Sequence, residues 1–191
     1  MTQADPILNV GLVVPQTEAE GPGTRFAVWV QGCPLRCPGC CNPEMLAFRP
    51  AAQMPASALV EAAGAAGVEG VSFLGGEPTA QAHGLSVVAA GARARGLSVM
   101  VFSGFTLAEL RAQGDAHVDA LLSHTDLLVD GRYVEALRTT ARRWIGSENQ
   151  VLHFLTDRYS AADPRFAAPN TLELRLVGGA VVINGFPVRG A

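Results

Sequence analysis

The sequence predicts an α/β fold on a parallel sheet, and three features predict it. Short runs rich in Val, Leu and Phe recur at residues 70–74, 97–102 and 127–130, and each ends in a glycine-bearing turn. Alanine-rich stretches of helical length lie before the first and between the first two. Strand and helix in alternation is the pattern of parallel strands joined by right-handed crossovers. The tail differs, because residues 171–176 and 181–187 alternate with period two around Gly178-Gly179, the mark of a β-hairpin.

Taken in order, residues 7–14 read as a strand, followed by a polar loop to Gly21-Pro22-Gly23. Arg25 leads into residues 26–31, whose β-branched and aromatic content marks a buried first strand of the core sheet. All the cysteines leave from its carboxyl end, the side on which parallel α/β sheets build their sites. After a Pro-bounded loop, Ser57 is placed to cap a helix over 58–66 that Gly67 ends. The strand at 70–74 delivers Gly75-Gly76-Glu77-Pro78. Glycines at a strand end let a ligand approach the backbone. A helix over 80–95 stops at Gly96, and the strand 97–102 runs into Ser103-Gly104-Phe105-Thr106, with Thr106 set to cap a helix over 107–113. His117 and His124 flank a short helical stretch and, lacking a partner at ligand spacing, read as surface residues. Strands at 127–130 and 151–155 follow. About five such units are too few to close an eight-fold barrel.

Length allows one domain over 1–191 with a core that needs no staple. Hydrophobic residues at 49% and charged ones at 16% exclude a disordered chain. A formal charge of −3 offers no basic footprint, so neither nucleic acid nor an anionic membrane is an expected partner. No secretory signal opens the sequence and no apolar run reaches the roughly 18 residues of a spanning helix, which points to a cytoplasmic protein.

Cys33, Cys37, Cys40 and Cys41 are the chain's four cysteines. Buried cysteines acting as small hydrophobes scatter, whereas these are bunched to hold one object. Zinc usually takes two separated knuckles, and a second knuckle is absent. A turn carrying Cys33, Cys37 and Cys40, bent at Pro38-Gly39, can aim three thiolates at one face of an iron-sulfur cube and leave one iron open. A redox-active disulfide and a degenerate zinc turn are the competing readings.

The Cys-x3-Cys-x2-Cys spacing resembles the signature of the radical S-adenosylmethionine (SAM) superfamily. Gly21-Pro22-Gly23-Thr24-Arg25, Trp29 to Cys33, and Cys37-Pro38-Gly39-Cys40-x-Asn42 are similar to the opening of the anaerobic ribonucleotide reductase activating proteins and related glycyl-radical enzyme activases. Cys41 stands where these proteins often carry a bulky residue, which leaves Cys40 or Cys41 as third ligand, with Cys40 preferred. The resemblance implies an open partial (β/α) barrel, a [4Fe-4S] cluster on Cys33, Cys37 and Cys40, and SAM chelating the open iron. It implies reductive cleavage of SAM to a 5′-deoxyadenosyl radical that takes a hydrogen from a glycine of a large partner enzyme. Gly75, Gly76, Glu77 and Pro78 match the motif associated with the methionine amino group of SAM. By the same resemblance Ser103 faces the SAM pocket, the other reading being a plain strand-to-helix turn with a cap, and Asp130 either bonds the cofactor or makes an Asx turn. Gly146, Ser147, Asn149 and Gln150 match a family stretch whose arginine is here Ile145, with Arg143 near enough to substitute. No general base is expected, because hydrogen-atom abstraction needs none. A flavodoxin or ferredoxin would supply the electron. The alternatives are a tailoring radical enzyme acting on a peptide or small metabolite, and a non-catalytic iron-sulfur or zinc binding module.

Overall fold

The computed structural model describes residues 4–186. In chain order the elements are β1 (Ile7–Thr17), β2 (Arg25–Val30), β3 (Ala52–Pro55), α1 (Ala56–Ala65), β4 (Gly70–Gly75), α2 (Ala82–Ala94), β5 (Ser98–Phe102), α3 (Leu107–Ala112), α4 (Ala116–Ser123), β6 (Leu127–Asp130), β7 (Val151–Phe154), β8 (Leu172–Val177) and β9 (Ala180–Gly185). The central sheet runs β3-β1-β2-β4-β5-β6-β7, and β8-β9 form a separate hairpin. Pro187, placed by the sequence in that hairpin, lies outside the described residues.

The fold is mixed α/β with a mostly parallel sheet. β2, β4, β5 and β6 pair in parallel, as the strand and helix alternation predicts. The flanks depart from it. β1 runs antiparallel to β2, and β7 antiparallel to β6. The reason is the connection: a parallel return needs a crossover of a dozen or more residues, usually helical, whereas a short loop joins β1 to β2 and no α-helix separates β6 from β7. β3, read from the sequence as loop, pairs only with β1, from Ile7 opposite Pro55 to Val10 opposite Ala52.

Local signals hold at most boundaries. Thr106 and Glu109 form a reciprocal capping box on α3, and Gly67 takes the left-handed conformation (φ +65°) after α1. Ser57 does not cap α1, because β3 runs straight into the helix through Pro55. Asp5 supplies the acceptor instead, taking the Ser57 backbone N–H at 3.2 Å and its hydroxyl at 2.5 Å.

The pleat divides the sheet into two functional faces. Phe26, Val28 and Val30 of β2 join Phe73, Val101 and Leu128 beneath α1, α2 and α4 in the main core. The alternate residues, Ala27 and Trp29 with Leu74, Met100, Leu127 and Val129, face the other way against Met45, Trp144 and Ile145. That second face is covered by loops rather than helices, and the site opens there.

At the amino end of the parallel strands, Arg25 is fully buried. Its guanidinium donates to Ser72 Oγ (3.1 Å), Ser98 Oγ (2.5 Å) and the Val71 carbonyl (2.5 Å), crossing from β2 to β5. Gly70 leaves the room it needs, since a Cβ there would strike the guanidinium. Burial pulls Arg25 down to about 10, so it stays charged at neutral pH. Replacing it would orphan several buried acceptors at once. Arg25→Met is expected to lose on the order of 3 kcal/mol of stability, read as a lower urea midpoint at unchanged slope.

Candidate functional site

The cysteine loop is held at its base by backbone. Gly32 N–H donates to the Met45 carbonyl (2.8 Å) and Cys33 N–H to the Leu46 carbonyl (3.1 Å), closing residues 33–45 into a loop with adjacent ends. Within it Cys40 N–H bonds the Cys37 carbonyl (3.2 Å), a turn that Gly39 enables at φ +71°. Leu35 seats against Gly104, where any Cβ would strike it.

The Gly75-Gly76-Glu77 segment locks onto the base of this loop. Gly76 N–H donates to the Val30 carbonyl (2.8 Å) and Glu77 N–H to the Gly32 carbonyl (2.9 Å). A Cβ at Gly75 would lie 2.5 Å from Val30 N, and one at Gly76 would collide with the Gly32 carbonyl oxygen. The sequence reading took these glycines as room for a ligand; the atoms nearest their missing side chains belong to the neighbouring backbone. The Glu77 side chain is almost fully buried and ties two strand ends together. Its carboxylate accepts from Thr79 N–H (3.0 Å), the Thr79 hydroxyl (2.7 Å), the Ser103 hydroxyl (3.0 Å) and Gly104 N–H (2.8 Å). Burial still pushes its pKa up, with those four bonds pulling the other way.

Above these turns lies a cleft at the carboxyl ends of the parallel strands. Each of the four strands contributes one residue of the loop-covered face to its wall: Trp29, Leu74, Phe102 and Val129. Cys33, Cys37, Cys40 and Cys41 line the same cleft, as do Gly75, Gly76, Glu77, Ser103 and Gln150. Eight of the site residues read from sequence therefore line one cleft. Pro78 instead begins the turn Pro78–Gln81. The Asp130 carboxylate accepts Leu107 N–H (2.6 Å) and pairs with His153 Nε2 (2.8 Å), and Asn149 donates to the Arg132 carbonyl (2.8 Å). Gln150 braces the rim, accepting Gly146 N–H (2.9 Å) and donating to the Gly131 carbonyl (2.9 Å). Arg143 does not line the cleft; it donates to the Glu18 carbonyl (3.2 Å) and stacks on Trp144.

The thiols differ electrostatically. Cys33 is buried, Cys37 and Cys40 are half-buried and Cys41 is exposed. A hydrogen bond from Cys41 lowers Cys40 to about 6, helped by Asn42 N–H at 3.4 Å from its sulfur, and correspondingly raises Cys41. Burial pushes Cys37 up. The thiolate is the form that binds metal, and the Asn42 N–H turned toward the Cys40 sulfur favours that form there. Among the described residues no three His, Cys, Asp or Glu side chains gather as ligands of a single ion would. Four soft sulfur donors spread around one cleft suit an object with several irons.

Glu20, Tyr133, Trp144, Asn170 and Phe186 also line the cleft, and sequence reasoning missed all of them. Glu20 is buried, and Gly185 N–H donates to it at 2.6 Å. Desolvation raises it to about 7, with the Gly185 bond opposing.

A family of 4Fe-4S single cluster domains matches residues 19–153, which span every motif of the cleft named so far from Glu20 to Gln150. Over 152 residues the chain is 32% identical to the anaerobic ribonucleoside-triphosphate reductase-activating protein of Salmonella typhimurium, covering 74% of this chain and 95% of that protein. The chain belongs to this activating-protein family. Its counterparts in Vibrio cholerae and Escherichia coli K12 are 30% and 29% identical, each over 78% of this chain and 99% of their own length. For a member of the activating-protein family, the thiol-lined cleft fits the single cluster.

Two outcomes are expected. Cys40→Ala loses the iron while Cys41→Ala keeps it, measured as iron and sulfide content after anaerobic reconstitution. For Glu20, the folded group titrates near 7 against 4.5 in the ordinary carboxylate. Between those values the unfolded chain has lost its proton and the folded chain has not, so stability falls as pH rises. Glu20→Gln should remove about 3 kcal/mol of that fall, giving a variant more stable relative to wild type at pH 8 than at pH 4 by denaturant titration.

Proposed function

We propose that this chain is a radical SAM activase that generates the glycyl radical of an anaerobic ribonucleotide reductase. The carrying observation is the meeting, in one cleft, of Cys33, Cys37 and Cys40 with the Gly75-Gly76-Glu77 turn and Ser103. The activating names of the relatives support the same reading over a tailoring enzyme or a non-catalytic module. We read the sheet as an open partial barrel formed by one domain, working in the cytoplasm with a flavodoxin or ferredoxin as electron donor.

When bound, a reduced [4Fe-4S] cluster with SAM supplies one-electron cleavage of the sulfonium and, through it, hydrogen-atom abstraction from glycine. The chain's own residues ligate, orient and exclude water. Cys33, Cys37 and Cys40 would hold the cluster, and the Gly75-Gly76-Glu77 turn, with Pro78 fixing its exit, would receive the methionine end of SAM. Glu77 acts by position: it holds the Ser103-Gly104 turn against the Gly75-Gly76 turn, so both walls of the SAM site keep their spacing. Trp29, Leu74, Phe102 and Val129 make that wall apolar and limit the water that reaches a reactive fragment. In this reading Gln150 lines the SAM site directly, while Asp130 and Asn149 act by fixing the loops beside it.

Anaerobically reconstituted protein should show SAM-dependent change in its cluster spectrum and, with dithionite, release methionine and 5′-deoxyadenosine. With the reductase of the same organism present, a glycyl radical doublet should appear by electron paramagnetic resonance. A zinc-loaded protein, or an iron centre blind to SAM, sinks the reading.

A further inference from the structure

The β8-β9 hairpin presents a row of aliphatic side chains to solvent. A hairpin with one face on its own domain normally turns aliphatic residues inward and polar ones out. Here the described side chains of the inward side, Glu173, Arg175 and Asn184, are polar. The Glu173 carboxylate takes the Thr17 hydroxyl and the Arg175 guanidinium, Asn184 is buried, and Gly185 N–H bonds Glu20. The outward side carries Leu172, Leu174 and Leu176 on β8 and Val181 and Ile183 on β9. Leu174 faces Ile183 and Leu176 faces Val181 in the register, so the five form one continuous patch. Leu176 is 82% exposed, Leu174 68% and Val181 61%. Exposed leucines scattered singly need no explanation, but a contiguous aliphatic strip marks an interaction surface.

Position identifies the occupant. Gly185, the last residue of β9, and Phe186 after it line the cleft that holds the cysteines. The hairpin is therefore part of the cleft's rim. A glycine carried by a large protein reaches this cleft only if its carrier lies against the rim. We propose that the outward face of β8-β9 is the docking surface for the apolar surface of the reductase that presents the glycine. This rests on the function proposed above and names where its protein substrate sits. Leu174 and Leu176 form the centre of the contact, and the polar seat on Thr17 and Glu20 fixes the hairpin's angle to the cleft.

The test uses full-length reconstituted protein and the purified reductase of the same organism. Leu174→Gln with Leu176→Gln, and separately Val181→Gln with Ile183→Gln, change only side chains that face solvent. Each pair is expected to weaken reductase binding at least about tenfold and to lower the glycyl radical yield at subsaturating reductase. Reductase-free cleavage of SAM by dithionite-reduced protein should stay within about twofold of wild type, since neither pair touches the cleft. Unchanged reductase affinity in both pairs overturns the proposal while leaving the function intact. So does loss of a self-associated form in sedimentation with reductase binding preserved, which would make a second copy the occupant. Wild-type protein that cleaves SAM but raises no glycyl radical on the reductase overturns the function itself, and the docking proposal with it.

Discussion

The site depends on a backbone clasp. Two amides at the end of β4, those of Gly76 and Glu77, reach the carbonyls of Val30 and Gly32 at the end of β2. Gly32 and Cys33 in turn reach the carbonyls of Met45 and Leu46 where the cysteine loop returns. These four bonds fix the thiols relative to the turn that follows β4, and side chains at Gly75 or Gly76 would force the two apart. Buried main-chain groups left unpaired are costly, so a clasp of this kind is either complete or strongly penalised. The spacing of the cleft's parts is set before any ligand contributes.

Around the clasp, the sheet separates stability from chemistry. The helical face carries the main hydrophobic cluster, and Arg25 staples the amino ends of the strands. The opposite face gives up that helical cover and spends its apolar residues on a cleft wall. Buried carboxyls follow the same division. Asp126, at the amino end, is held low by Thr156, Val99 N–H and Arg93 despite its burial, whereas Glu20 and Glu77, at the cleft, are raised by desolvation. A carboxyl with a raised pKa costs folding free energy at neutral pH, which is tolerable where it organises a working site.

What was legible in the sequence was whatever glycine, proline and cysteine punctuate. The parallel strands ending in Gly75-Gly76, Ser103-Gly104 and Gly131 were readable because their turns demand those residues. The cysteine loop was readable because no other segment carries a thiol. β3 was not, since Ala52-Gln53-Met54-Pro55 lacks β-branched residues and becomes a strand only by pairing with β1. The antiparallel flanks depend on loop lengths rather than composition. Within the site, Tyr133, Trp144, Asn170 and Phe186 reach the cleft from segments remote in sequence, so no spacing announces them. Glu20 had a faint signal as the acid directly before Gly21-Pro22-Gly23, but its burial comes from the hairpin folding over it. Asp130 carried the right residue type in the right turn, and its Oδ2 is taken by the amino end of α3 and by His153.

Because the clasp is written in amides and carbonyls, it asks almost nothing of residue identity beyond a few glycines. Mutational drift can rewrite the walls, trading one apolar ring or branched chain for another, without moving the thiols. Chains of this lineage can therefore diverge widely in surface and substrate while inheriting the same reactive hollow.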